Sequence, residues 1–218
     1  MKTLRALILP LFLFTASCQS PSTPMTDNDG NSSGTLAAAG MVWSAENLRA
    51  THFRNGDPIP EVTDPEEWAS LTSPACCSNA NSAENQTRYG RLYNWYAVND
   101  PRGLAPVGWH VATDSEWTRL TESLGGDESA GGALKATELW TEPNEGATDA
   151  IGFRLLPAGG RRDTDGDFLA TGGYSRMWTA TELSPKAAEG RSFVYFDGRV
   201  RKGKVSKKTG LAVRCVKD

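Results

Sequence analysis

The chain has 218 residues, 26 acidic against 23 basic, a formal net charge of −3, and 22% charged and 39% hydrophobic residues. This length suits one folded unit, the composition excludes a disordered chain, and the near balance of charge argues against a nucleic-acid partner, because such binders carry a basic excess. Twenty-two glycines, twelve prolines and seven tryptophans favour a loop-rich β or α+β domain over a helical bundle.

The N-terminus supplies an address. Lys2 and Arg5 make a short positive region, and Leu7 to Phe14 is an apolar run of signal-peptide length. Thr15-Ala16-Ser17-Cys18 is similar to a bacterial lipobox, with Thr15 where leucine is usual. The expectation is a lipoprotein signal peptide over residues 1–17, with Cys18 lipidated and the protein held to a membrane by its acyl chains. Residues 18–40 are Ser, Thr, Pro, Asn, Gly and Ala with few large apolar side chains, which predicts a flexible tether. Gln19 is not the aspartate that often retains lipoproteins at the inner membrane, so the expected location is the cell envelope at the outer membrane. Residues 41–218 are then the folded domain.

Within that domain, Asn55-Gly56-Asp57-Pro58 signals a turn. Asp64-Pro65-Glu66-Glu67 signals a helix start, with Trp68 and Leu71 facing the core. Residues 74–90 are polar and read as a long loop. Tyr89 to Val98 is aromatic-rich without a decisive period. The strongest helix runs from Asp114 to Leu124, opened by the capping box Thr113/Glu116 and striped by Trp117, Leu120 and Leu124. A weaker one spans Ala130 to Leu139, its propensity lowered by Gly131-Gly132. Thereafter the pattern is β: Ile151 to Leu156, Tyr174 to Thr181, then Arg191 to Phe196 turning at Asp197-Gly198 into Arg199 to Val205. Leu211, Val213 and Cys215 alternate as a closing strand.

Cys76, Cys77 and Cys215 remain in an oxidising compartment, an odd number that permits one bridge. Tying Cys215 to Cys76 or Cys77, or a vicinal Cys76–Cys77 bond, are the alternatives. His52 reads as an exposed loop residue and His110, between Trp109 and Val111, as a core-edge histidine bonded to backbone. With two histidines and no Cys-x-x-Cys pair, zinc is not expected.

Taken together, GMVWSAENLRATHFRNGDPIP, EEWASLTSPACC, YGRLYNWYAVND, GWHVATDSEWTRLTESLGG, IGFRLLPAGGRR and GLAVRCVKD resemble the Fibrobacter succinogenes major paralogous domain over nearly all of residues 41–218. The resemblance implies an α+β, C-type-lectin-like fold, distantly related to formylglycine-generating enzyme domains. That implies one or two helices packed on a small curved antiparallel sheet, with long loops. Many members of the family have cysteine-proline before the glycine-tryptophan, whereas this chain has Ala105-Pro106-Val107-Gly108-Trp109, so the usual partner of Cys215 is lost. The copper-binding cysteine pair of formylglycine-generating enzymes is represented by Cys215 alone.

Other patterns carry less chemistry. Gly198 to Lys204 mimics a phosphate-binding loop but lies in a hairpin and lacks the following Ser or Thr. Glu142-Pro143-Asn144 is similar to a sugar-binding triplet of C-type lectins without its companion. Asp163, Asp165 and Asp167 alternate as hard oxygen ligands for calcium do, the alternative being an Asp- and Gly-rich turn. Trp140 and Tyr174 in loops are candidates for a sugar-stacking platform. Arg199 and Arg201, in the basic run with Arg191, Lys202, Lys204, Lys207 and Lys208, are candidates for an anionic ligand. No nucleophile–histidine signature is present. The expected function is a lipid-anchored, non-catalytic surface binding or adhesion module for carbohydrate or protein. No resident cofactor is expected beyond calcium. The alternatives are an enzyme on the formylglycine-generating scaffold or a purely structural envelope protein.

Overall fold

The computed structural model describes residues 23–218, so the expected signal peptide and Cys18 lie outside the described residues. The first described strands, β1 (Met25–Thr26) and β2 (Ser32–Ser33), pair around a turn in which the Asp27 carboxylate accepts from the amides of Asp29 and Asn31. β3 (Thr35–Ala38) then pairs with β4 (Met41–Ser44). This corrects the expected tether, since the part of residues 18–40 from Met25 onward is folded. Met25 is 2% exposed within an apolar cluster that includes Leu48, Phe53 and Trp109. One anchored side chain and local polar bonds do what the segment's composition seemed unable to do.

Helix α1 (Pro65–Ser70) starts as its sequence predicts, with the Asp64 carboxylate accepting from the Glu67 amide at 2.8 Å and Trp68 buried. The polar stretch expected as a loop is largely regular. It holds β5 (Cys76–Cys77), a 3-10 turn at Asn79–Asn81, and α2 (Ala83–Tyr89), capped by Ser82. Tyr89 is the one buried residue of α2, so no apolar period announces it. The aromatic run that followed splits into β6 (Leu92–Tyr93) and the single turn α3 (Trp95–Val98). β7 (Trp109–Val111) leads into α4 (Asp114–Ser123), whose capping box forms as predicted. α5 (Asp127–Leu134) begins three residues before the expected start and ends five residues short of the predicted end at Leu139.

Ile151 to Leu156, expected as a strand, makes only a bridge from Leu155 to Lys135. β8 (Gly160–Arg161) and β9 (Phe168–Leu169) pair across the aspartate-rich turn. β10 (Tyr174–Ser184), β11 (Ala187–Val194) and β12 (Asp197–Ser206) form the expected antiparallel ribbon. Its turn lies at Tyr195-Phe196 rather than Asp197-Gly198, because Val194 pairs with Asp197 and the Asp197 carboxylate is drawn toward Arg199 and Arg201. β13 (Cys215–Lys217) closes the chain.

The architecture is α+β. Its antiparallel strands are divided among five small sheets within the described residues, the largest ordered β3-β4-β13-β7. The segment before β13 joins them. Leu211 exchanges backbone bonds with Tyr93, Ala212 accepts from the Trp178 amide, and Val213 accepts from the Leu48 amide. Each of Leu211 to Val216 is buried, so the predicted alternation of inside and outside is replaced by burial on both faces. Beneath α4 the rings of Trp43, Trp117 and Phe153 meet edge to face, with centroids 5.2 to 5.7 Å apart. Such ring clusters dominate the cohesion of a domain this size.

Candidate functional site

A cleft of about 310 Å³ opens on the surface of the described residues, at the small end of ligand pockets. One wall is the segment after β4, with Glu46, Asn47 and Arg49. A second is the end of α2, with Arg88, Tyr89 and Gly90. A third is the irregular chain between α5 and β8, with Leu139, Arg154 and Leu156, and Arg214 also lines the cleft.

Local backbone demands place these groups. Gly90 ends α2 at φ +81°, and a Cβ there would stand 2.7 Å from the Asn47 Cβ, so only glycine lets the helix end approach the first wall. Leu139 and Arg154 hold left-handed φ values of 69° and 47°, a conformation costly for side chains of their size. The Arg154 amide donates to the Asp149 carboxylate at 2.8 Å, which ties that turn. Strain held at two wall residues is a reason to look there for function.

Arg214 is 1% exposed. Its Nε donates to Asn47 Oδ1 at 2.8 Å, Nη1 to the Ser44 carbonyl at 2.8 Å and Nη2 to the Arg154 carbonyl at 3.2 Å. The Asn47 Nδ2 in turn donates to the Tyr89 carbonyl, so the second wall is tied to the floor through one amide. The Phe153 ring lies 4.6 Å below the Arg214 guanidinium. Burial pulls the Arg214 pKa down to about 9, against the opposing pull of Glu46.

The residues singled out in the sequence are scattered. Trp140 is not an exposed platform: it is 7% exposed, and its Nε1 donates to the Leu155 carbonyl. A ring this large with one donor is most stable where both body and N–H are satisfied inside. Tyr174 lies in β10, not a loop. Arg199 and Arg201 both clamp Asp197, holding its carboxyl well below the usual carboxylate range. Three more of the basic run are also engaged. Arg191 is buried against Asp114 and Asp127, Lys202 meets Asp114, and Lys207 meets Glu182. Glu142-Pro143-Asn144 points its Asn144 Nδ2 inward to the Ala136 carbonyl.

Asp163, Asp165 and Asp167 lie in the β8–β9 turn. Asp165 and Asp167 share Arg162, whose guanidinium stands where a cation would sit. Among the described residues no group of three or more His, Cys, Asp or Glu side chains is gathered as a metal site. Cys76, Cys77 and Cys215 are buried free thiols, so none of the expected bridges is formed. Burial pushes them up to about 11, 12 and 12 respectively, which leaves them protonated and unreactive.

The histidines differ from expectation in their partners. His110 bonds carboxylates, not backbone: Nδ1 meets Asp218 and Nε2 meets Glu116, each at 2.7 Å. His52 is a partly exposed loop residue paired with Asp29. His110 also edges a shallower hollow of about 230 Å³ with Arg54 and Leu104.

The sequence missed the cleft because its residues come from four separate stretches. Arg214 belongs to the alternating closing strand, where nothing local marks it as buried. Two adjoining signals were visible, Gly90 and the Asn-Leu-Arg run at residues 47–49, but neither says that the two meet.

Taken together, the molecule is a single-chain α+β domain of small antiparallel sheets with an arginine-lined cleft. The family model of the Fibrobacter succinogenes major domain matches residues 36–217, and the chain belongs to that family. No curated protein and no solved structure matches it.

Proposed function

We propose that this protein is a non-catalytic binding module held at the outer membrane of the cell envelope by a lipid on Cys18, and that its ligand enters the cleft above Arg214. The leader sequence supports the address, and no helix of the described residues is long and apolar enough to cross a membrane. The observation that carries the binding reading is the cleft itself, a ligand-sized cavity with a buried cation at its base and strained residues in its wall. We read the scaffold as C-type-lectin-like, on the strength of the sequence resemblance.

A glycan array with the purified chain, run with and without calcium, tests this reading. A soluble form should begin before Met25, since starting at Met41 would remove the strand that pairs with β4. Binding to a defined set of glycans that is lost in Leu139→Trp, which fills the cleft, is the expected result. An array signal untouched by that substitution in a folded variant removes the cleft from the proposal. Recovery of unlipidated protein from the cytosol removes the address.

A further inference from the structure

The β10–β12 ribbon has an open half-face away from the cleft, and its middle row carries a cation with no partner. Across the three strands Arg176 stands opposite Ser192, and Ser192 opposite Arg201. Tyr174 and Val194 form the row before, and Trp178, Gly190 and Gly203 the row after. Residues paired across strands, and residues two apart within one, point to the same side of a sheet. Arg176, Ser192 and Arg201 therefore share a face with Tyr174 and Val194. Trp178 is buried, whereas Arg201 is exposed and the other four are half-buried.

Every other arginine among the described residues donates to a carbonyl, amide or carboxylate oxygen. Arg176 has no acceptor. Its Nε is buried without a partner, and its two terminal nitrogens are unpartnered and open to solvent. The arm crosses β11 with Nε 3.4 Å from where a Cβ on Gly190 would stand. It reaches β12 with Nη2 3.8 Å from the corresponding place on Gly203. Side chains at these paired glycines would occupy the space that the guanidinium spans. Gly203 lies two residues from Arg201, so two cations arrive side by side on one strand, a repulsive arrangement. None of the ribbon's carboxylates meets Arg176: Glu182 meets Lys207, Glu189 alternates to the other face, and Asp197 is clamped by Arg199 and Arg201.

The donors on this row specify the ligand's head. The Arg176 terminal nitrogens, the Ser192 hydroxyl and the Arg201 Nη1 all lack a hydrogen-bond partner in the protein. A carboxylate offers two oxygens, enough for one guanidinium fork, whereas a phosphate or sulfate group offers three to donors arriving from several sides. Tyr174 and Val194, in the adjoining row, give an aromatic and apolar surface for a ring beside that head. We propose that this face is a second ligand site, independent of the cleft, which binds a sugar carrying one phosphate or sulfate group, with the oxyanion seated on Arg176.

The test titrates the full chain, purified in a non-ionic detergent, with glucose 6-phosphate, glucose 6-sulfate, glucuronate and glucose by calorimetry. The two esters are expected to bind, with glucose about tenfold or more weaker, and added salt should weaken the esters. Whichever ester binds more tightly identifies the group, and either order supports the site. Arg176→Met should abolish ester binding without lowering the melting temperature, because the arginine it replaces makes no bond to the protein. Lys204→Gln removes the same charge from the opposite face of the ribbon and should leave binding unchanged, as should Leu139→Trp in the cleft. Equal losses in Arg176→Met and Lys204→Gln would show a general field and overturn the site. Ester binding that survives Arg176→Met, or that is lost in Leu139→Trp, overturns it as well. Glucuronate binding as tightly as the esters overturns the tetrahedral head, glucose doing so overturns the oxyanion, and no binding by any probe overturns the whole proposal.

Discussion

His110 shows how one side chain couples the chain's end to its best helix. It bridges Glu116, which completes the α4 capping box, and Asp218, the last residue. Burial alone lowers the His110 pKa, but the hydrogen bonds its ring donates to Asp218 and Glu116, with their charges, outweigh it, so the value stands above 6.5. For Glu116 burial works upward and is outweighed by the Thr113 amide, the His110 ring and the Thr113 hydroxyl, so its value stands below 4.5. The raised histidine contributes stability that is complete below 6.5 and disappears as pH rises through its folded value. The depressed glutamate contributes stability that is complete above 4.5 and disappears as pH falls through its folded value. The bridge therefore stabilises most between 4.5 and 6.5. In urea titrations the gap between the native chain and His110→Gln should be widest in that window and should narrow toward pH of about 9. A gap that widens with rising pH contradicts the bridge.

Among the elements, α5 carries the least expected packing. Gly131-Gly132 argued against a helix on propensity, yet the helix forms because both glycines face backbone. A Cβ on Gly131 would stand 2.6 Å from the carbonyl oxygens of Gly198 and Arg199 in β12, and one on Gly132 would stand 2.2 Å from the Gly146 carbonyl oxygen. Close approach of helix to strand is thus the reason for residues that are poor helix formers. Gly131→Ala gains about 1 kcal/mol of helix propensity and meets a clash with backbone that costs about 1–3 kcal/mol or more. The expected outcome is a lower melting temperature despite the better helix former, measurable by calorimetry. A variant of raised stability would mean that α5 does not sit against β12. Elements with caps and stripes, α1 and α4, were legible from sequence because their signals are local. The polar α2 was not, since Tyr89 alone faces inward and Ser82 has no glutamate three residues on to complete a capping box.

At the scale of the whole molecule, the last eight residues join what the chain order separates. β13 lies between β4 and β7, and the run from Leu211 to Val213 bonds to β6, β10 and the segment after β4. Arg214, in the same stretch, lines the cleft. Deleting residues 211–218 removes the middle strand of one sheet and the seam of the others, and should abolish cooperative unfolding altogether. Circular dichroism with a flat thermal melt would register that loss, and a sharp transition near the native melting temperature would refute it.

What the amino-acid order by itself determined was the α+β class, the family, the capped helices and the β10–β12 ribbon. Periodicity, caps and turns act over a few residues and are written in the local sequence. The tertiary structure alone decided that Met25 anchors the segment expected as tether, that Trp140 and the three thiols are interior, and that Arg191, Arg199, Arg201, Lys202 and Lys207 are paired with carboxylates. It also decided that Glu46, Gly90, Arg154 and Arg214 meet around one cleft. Those outcomes depend on which charges and rings find each other across more than a hundred residues, and Coulombic pairing and burial depend on distance in space and not along the chain.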